Sequence, residues 1–246
     1  MKRQVILSAR MQAVADLVTD GNRVCDVGCD HGYVSIYLVQ QGKSPSVLAM
    51  DVNKGPLLRA KEHVEVAGLE KYIALRLSDG LLEFQEGEAD TLVCAGMGGR
   101  LMQKILEREP DKTFTFKEMI LQPQSEIGAF RRFLEQMGYT ISDEDMILEE
   151  GKFYPVIKAV RGQRREQMSE IEARFGPVLL RKKHPVLCRF IQREWKSCMN
   201  IRNGLSDAGE GMRTAGRLEE LKQDMGYLEQ AAGLLGMEEL YGYNYN

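Results

Sequence analysis

The segment RVCDVGCDHGYVSIYLV, residues 23–39, constrains the fold of this chain more than any other. An apolar run of strand type meets a glycine turn, and the turn opens into a helical pattern. Similar units follow in order. VLAMDV (47–52) precedes a helix through PLLRAKEHVEVAG, IALRLSD (73–79) precedes ADTLVCAG (89–96) and the helix RLMQKILERE, and KEMILQP (117–123) precedes EIGAFRRFLEQMG. A further helix is expected over 8–19, where Ser8 can cap a stripe of Met11, Val14, Ala15 and Val18. Strands alternating with helices at this spacing predict an α/β fold, a mostly parallel sheet with right-handed crossovers. YTISDEDMILEEGKFYPVIKAV (139–160) reads instead as two strands joined by a turn near Glu150-Gly151. The last strand is therefore expected to run antiparallel, at or near the sheet edge.

After Gly162 the pattern becomes helical over 163–175 and 184–205, broken at Gly176-Pro177. Leu218, Leu221, Met225, Leu228, Ala232 and Leu235 form a 3-4 stripe, and Leu187, Ile191, Trp195, Cys198, Ile201 and Leu205 form another. Two such helices joined by SDAGEG (206–211) are expected to pack as an antiparallel pair. The stripe covers only about two and a half heptads, which favours an intramolecular hairpin over a dimerising coil, and so a monomer. The expected domains are 1–160 and a smaller helical, coiled-coil-like 161–246.

Charge is distributed unevenly. Residues 1–160 hold 19 Lys/Arg against 24 Asp/Glu, residues 161–202 hold 11 against 4, and residues 203–246 hold 3 against 8. A basic block inside a chain of net charge −3 is either a footprint for a polyanion or a solvated helix face. No apolar run approaches the roughly 18–20 residues that span a bilayer, so no membrane partner is expected. The N-terminus has too short an apolar core for a signal peptide. The five cysteines form no CxxC pair, and reduced thiols in a cytoplasmic protein are expected.

In an open α/β sheet, ligands bind beyond the carboxyl ends of the strands. Here the first such loop is Gly28-Cys29-Asp30-His31-Gly32. The dinucleotide fingerprint GxGxxG is absent, and Asp30 would repel a pyrophosphate. The same carboxylate suits a cationic amino-acid cofactor, so the loop favours S-adenosyl-L-methionine over NAD. Asp51 ends the second strand about 20 residues on, where an acid can take ribose hydroxyls. Asp79 ends the third, where a carboxylate can accept the adenine amino group. Singly, Asp26, Asp51 and Asp79 also fit a structural acid, a helix cap and a turn; together, at successive strand ends, they indicate a site. Repeated βα units closed by a β-β pair are the arrangement of Rossmann-like class I methyltransferases, and fit several other doubly wound enzymes too.

The motifs DVGCDHGY, AMDVNKGPLLRA, RLSDGL, VCAGMGGRLMQKIL, ILQPQ and GKFYPVIKA, in order over residues 8–160, resemble the bacterial tRNA (adenine-22-N1)-methyltransferases. The remainder resembles that family's helical C-terminal domain in general character only. Members often carry threonine where this chain has Cys29, a backbone-contacting position. The resemblance implies S-adenosylmethionine as donor and tRNA as acceptor. Carried over by position, the cofactor site comprises Asp26, Gly28, Cys29, Asp30, His31, Gly32, Asp51, Val52, Asn53, Ser78, Asp79 and Gly80, closed around the methionine moiety by Ala95, Gly96 and Met97.

Adenine N1 has an in-plane lone pair, so no proton must leave before it attacks a methyl group, and positioning can do most of the work. Carboxylates nearby can stabilise the charge that develops on the base. Asp30 and His31 are the catalytic candidates, with a purely positional His31 as the alternative. The glycines of AGMGG, Gly98 included, suit close approach of the base, or simply a strand-to-helix turn. Tyr33 and Tyr154 are candidates to stack on an exposed base, and Gln122 and Pro123 to line its rim. Arg10, Arg100, Arg181, Lys182, Lys183, Arg189 and Arg193 are candidates for RNA contact. His63, inside a helix pattern, and His184, before Pro185, have weaker claims to a role than His31. His184 with Cys188 falls short of the four ligands of a structural zinc site, and no metal is expected. A methyltransferase of another RNA or of a small molecule, and a non-catalytic RNA-binding module, remain as alternative readings.

Overall fold

The computed structural model describes residues 4–162, 167–207 and 212–237. It divides into two compact units, Met1–Gln167 and Met168–Asn246.

The first unit is built on a seven-stranded sheet. Its elements are α1 (Ala9–Leu17), β1 (Val24–Val27), α2 (Tyr33–Gln40), β2 (Val47–Asp51), α3 (Lys54–Ala67), β3 (Ile73–Leu77), β4 (Thr91–Met97), α4 (Gly99–Arg108), α5 (Pro110–Thr113), β5 (Glu118–Pro123), α6 (Ile127–Gln136), β6 (Tyr139–Glu149) and β7 (Lys152–Arg161). The strand order is β3-β2-β1-β4-β5-β7-β6. β1 pairs in parallel with β2 and β4, β2 with β3, and β4 with β5, while β7 runs antiparallel to both β5 and β6. The antiparallel last strand therefore lies one position in from the edge, and β6 forms the edge itself. This is the Rossmann-like methyltransferase architecture.

Every residue of β1, β2 and β5 is buried, as expected for strands covered by helices on both faces. Val24, Val47, Ala49, Val93 and Ile120 pack there against Val14 of α1, Ile36 of α2 and Val64 of α3. α1 starts where expected, with the Ser8 hydroxyl accepting from the Met11 amide at 3.4 Å. α5 is an extra turn begun by Pro110 at its first position, where proline's missing N–H costs nothing.

The second unit contains α7 (Glu170–Phe175), α8 (Pro177–Arg181), α9 (Pro185–Asp207) and α10 (Met212–Leu235). The helix expected from 163 begins only at Glu170. Ser169 and Glu172 form a capping box there, which satisfies the first free amides reciprocally; residues 163–166 lie outside the described residues. α9 and α10 pack on each other. Leu221, Met225, Leu228, Ala232 and Leu235 are buried as the heptad requires, and so are Leu187, Ile191 and Trp195. Ile201 departs from its stripe and is exposed. Most of the SDAGEG linker, 208–211, lies outside the described residues. No helix among the described residues is long and apolar enough to cross a membrane.

Candidate functional site

The carboxyl ends of β1, β2, β3 and β4 surround a cavity of about 560 Å³. Its floor is the turn after β1, where the Gly28 and Cys29 amides donate to the Met50 carbonyl at 2.8 and 3.0 Å and tie the turn to β2. Gly28 has φ +75°, and a Cβ there would run into the Met97 methyl group. Only glycine meets both conditions at no steric cost. Gly32 was expected beside the cofactor but is not on the cavity wall. It has φ +72°, and a Cβ would meet Ala60 of α3 at 3.2 Å, so its smallness seats α2 against α3.

Each of the three strand-end acids reaches this cavity in a different state. Asp26 is buried, accepts from the Ser35 hydroxyl at 2.6 Å, and lines the floor. Burial pushes its pKa up to about 6, the Ser35 hydrogen bond opposes this, and the Asp51 charge adds to it. Asp51 is buried, its Oδ1 accepting from the Asn53 amide at 2.8 Å and its Oδ2 from the Asp30 amide at 3.3 Å. Two backbone donors thus fix its carboxylate while leaving lone pairs free. Asp79 is more open and ion-paired to Arg108 at 2.6 Å. Beside it, the buried Ser78 donates to the Gly80 carbonyl at 2.8 Å and shapes the turn.

Asp30 holds a left-handed conformation, φ +48°, uncommon for a residue other than glycine. Its side chain is 65% exposed, 3.6 Å from His31 Nε2 and 3.9 Å from Arg59. Asp30 and His31 both line the cavity, as do Cys29, Val52, Asn53, Gly80, Ala95, Gly96 and Met97. Burial raises the Cys29 thiol, and pushes Cys94 up to about 12. Neither sulfur is a thiolate at neutral pH.

The three glycines of AGMGG do different jobs. A Cβ on Gly99 would lie 2.5 Å from the Ser125 carbonyl oxygen, and one on Gly98 3.1 Å from the Ser125 hydroxyl. Those two glycines pack against the loop after β5, which also accepts the Gly99 amide at 3.2 Å. Gly98 therefore does not line the cavity. Gly96 does; it has φ +78° with only Gln124 and Arg10 near.

Two of the expected substrate contacts in the first unit, Arg10 and Tyr33, line the cavity, and the others do not. Gln122 is fully buried; its Oε1 accepts from the Gly96 amide at 3.1 Å and from Arg10 at 3.5 Å. It braces the wall from behind, because β5 is covered on both faces. Pro123 is buried opposite Met97 at a register shift. The residue of this segment on the wall is Gln124. Arg100 points away, 82% exposed and paired to Glu126 at 2.6 Å. Tyr154 carries the Arg10 guanidinium over its ring at 4.9 Å. The Arg10 Nε is buried, 3.9 Å from Glu149, and among the described residues finds no acceptor within hydrogen-bond distance. Met11, Leu101 and Ile105 also contribute apolar wall, and their helical stripes were the only signal for them.

In the second unit Arg181, Lys182, Lys183, Arg189 and Arg193 are all exposed. The first three close α8, and Arg189 and Arg193 lie one turn apart on α9, Arg193 pairing with Glu194 at 3.3 Å. Among the described residues no His/Cys/Asp/Glu group is arranged to hold a metal ion.

Residues 7–157 match the family model described as a methyltransferase domain. The chain is 34% identical over 228 residues to the tRNA (adenine(22)-N(1))-methyltransferase of Bacillus subtilis, covering 91% of this chain and 96% of that protein. The solved structure of the B. subtilis M1A22 tRNA methyltransferase TrmK superposes with a TM-score of 0.81 at 33% identity, over 93% of this chain and 99% of that one. A Streptococcus pneumoniae protein solved in complex with S-adenosyl-L-methionine gives 0.79 at 32% identity, over 92% and 99%. With the acid-lined cavity at the strand ends, these likenesses establish that the chain belongs to the methyltransferase domain family and, within it, to the tRNA (adenine(22)-N(1))-methyltransferases.

Proposed function

We propose that this protein transfers a methyl group from S-adenosylmethionine to N1 of the adenosine at position 22 of tRNA. The observation that carries the reading is the convergence of Asp26, Asp51 and Asp79 on one cavity whose wall also includes the open backbone at Gly96. The donor set fits a sulfonium cofactor. Asp26 and Asp30 provide negative charge around the turn, Gly28 provides a floor without a side chain, and Asp51, held by two amides, has lone pairs directed at ribose hydroxyls. Asp79 and the Ser78–Gly80 turn take the adenine end, and Ala95, Gly96 and Met97 close the methionine end.

Bound S-adenosylmethionine supplies an electrophilic methyl group on a positively charged sulfur. The residues of the chain then have three tasks. Gly96, Gln124 and Arg10, which share one stretch of the cavity wall, would seat the target base so that N1 can approach the methyl group in line. As the N1–C bond forms and the C–S bond breaks, the positive charge moves from sulfur to the base ring, and the sulfur leaves neutral. The Asp30 carboxylate, at the rim in its left-handed conformation with its amide tied to Asp51, would face that charge. No residue needs to remove a proton, because N1 attacks with a lone pair already free.

We assign the first unit to cofactor binding and catalysis. We assign the second, with Arg181, Lys182, Lys183, Arg189 and Arg193 exposed, to tRNA phosphates, and place the protein in the cytoplasm as a monomer. The decisive experiment is transfer from methyl-tritiated S-adenosylmethionine to an unmodified tRNA transcript, followed by nucleoside analysis. Labelled 1-methyladenosine is expected, with none when adenosine 22 is replaced by guanosine. Label in another nucleoside, or none at all, would overturn the reading.

A further inference from the structure

Outside the cofactor cavity, His63 stands where α3 faces the glycine turn, in a part of the sequence that carries no functional motif. His31, Tyr33 and His63 form a stack of three rings. Centroids are 4.8 Å apart for Tyr33–His63, 5.7 Å for His31–Tyr33 and 5.8 Å for His31–His63, with interplanar angles of 20°, 11° and 28°. His63 Nδ1 lies 2.9 Å from the His31 carbonyl oxygen. A carbonyl only accepts, so Nδ1 donates that hydrogen bond, and Nε2 lies 3.5 Å from the Tyr33 hydroxyl. His63 therefore orients the Tyr33 ring, which remains 45% exposed.

On the far side of Tyr33 lies a second cavity of about 340 Å³, walled by Tyr33, His63, Val66 and the segment Gln4–Ile6. The Val5 amide donates to Gln40 Oε1 at 2.8 Å and anchors that segment to α2. Ile6 and Val66 are 93% and 71% exposed, an apolar lip beside an aromatic face. Tyr33 lines both cavities, so the recess adjoins the cofactor cavity across a single side chain.

We propose that this recess holds an unpaired nucleobase next to the methylated adenosine, stacked on Tyr33 and hydrogen-bonded by Gln4. The proposal rests on the tRNA reading above. A target base leaves its stack to reach the cofactor, and exposed neighbouring bases are held on Tyr and His faces. A base is the fitting occupant, because the recess offers a ring face and an apolar lip, and among the described residues no Lys or Arg lines it to hold a phosphate. His63 is a positioning residue that acts through Tyr33.

The test uses the full chain and tRNA in which 2-aminopurine replaces each neighbour of the methylated adenosine in turn. Stacking quenches its fluorescence. One position is expected to be quenched on binding, and Val66→Glu and His63→Ala are expected to relieve the quenching. Both variants should raise the KM for tRNA by about 5- to 150-fold, the range of one base–aromatic stack, with S-adenosylhomocysteine affinity changed less than twofold. Tyr33→Phe, which keeps the ring, should restore quenching that Tyr33→Ala loses. Quenching that persists in Val66→Glu, or an unchanged KM, overturns the proposal. So does sedimentation showing that Val66→Glu breaks a dimer while tRNA kinetics stay the same, which would assign the recess to a second copy. Failure of the wild-type chain to methylate tRNA would instead overturn the function itself, and the two failures are separable.

Discussion

Asp26 makes a quantitative prediction, because its environment works against its charge. The carboxyl is buried, has one hydroxyl donor at 2.6 Å, and titrates near 6 instead of its ordinary 3.8. Keeping it ionised in the empty protein costs about 3 kcal/mol at neutral pH, from roughly 1.4 kcal/mol per pKa unit. A cationic ligand in the same cavity reverses that balance by favouring the carboxylate. Affinity for S-adenosylmethionine is therefore expected to fall as pH drops through 6. At pH 5 only about one molecule in eleven has Asp26 ionised, so binding weakens about tenfold relative to pH 7.5. Stability of the empty protein changes in the opposite sense. The folded pKa lies above the unfolded one, so the protonated folded form adds stability that is complete below about 3.8 and is lost as pH rises through about 6. Asp26→Asn keeps an acceptor for Ser35 and removes the charge. It should raise the melting temperature of the empty protein at pH 7.5 by several degrees and flatten the pH dependence of cofactor affinity. Calorimetric titration with S-adenosylmethionine between pH 5 and 7.5, with melting curves of the empty protein, checks both. Equal pH slopes for wild type and variant, with no gain in melting temperature, would refute the assignment of the burden to Asp26.

Asp51→Ala removes the carboxylate that anchors the Asn53 and Asp30 amides. S-adenosylhomocysteine affinity, measured by calorimetry, should fall about 10- to 100-fold, the worth of one charged hydrogen bond; an unchanged value would take Asp51 out of the site. Gly99→Ala would place a Cβ 2.5 Å from a backbone oxygen and should destabilise the fold by about 1–3 kcal/mol, read from denaturant melts. Gly96→Ala meets nothing nearer than 3.8 Å, costs about 1–2 kcal/mol in backbone strain, and should lower kcat for tRNA more than Gly99→Ala lowers it per unit of stability lost. Charge reversal at Arg181, Lys182 and Lys183 should weaken tRNA binding and flatten its salt dependence while leaving cofactor affinity unchanged; filter binding at several salt concentrations decides.

The sheet was legible because its physics is local and periodic. Buried runs such as VLAMDV and KEMILQP, each bounded by turn residues, can only be strands covered on both faces, and β1, β2 and β5 are buried throughout. The acids of the site were legible for a similar reason, since a strand end fixes where its last residue points. What sequence could not supply was the partner across space. Gln122 and Gln124 are equivalent as text, but only the packing on β5 decides that the first braces Gly96 from behind and the second faces the cavity. The glycines of AGMGG look alike for the same reason, and Ser125 separates Gly98 and Gly99 from Gly96. His63 was missed because its meaning depends on ring stacking with residues 30 positions earlier. Ile201 keeps the heptad spacing yet is exposed, because a stripe buries only where a partner helix reaches it.

The charge arrangement around the first cavity bears on how an acidic domain can act on a polyanion. Asp26 and Asp51 are buried and held inward by a hydroxyl and two amides, so their charge is directed at a bound cation. Asp79 is neutralised in part by Arg108 at 2.6 Å. Asp30 is the acid left facing outward, and its left-handed backbone, tied to Asp51, keeps it at the rim and prevents it from folding into the turn. A carboxylate there repels a phosphate and attracts a ring that is becoming positive, so it discriminates between the backbone and the base of the same nucleotide. Arg10 completes that logic on the opposite edge. Its guanidinium carbon lies 4.9 Å from the Tyr154 ring centre, with the Nε buried beside Glu149, and Arg10 brings positive charge to the cavity wall. Arg10 thus brings a positive and Asp30 a negative charge to the cavity wall; in the proposed reaction the first would attract an anion and the second the cationic product. Removing only these two charges, Arg10→Gln with Asp30→Asn, should lower transfer sharply while the melting temperature stays near that of the wild type; transfer that survives would mean that neither charge senses the reaction.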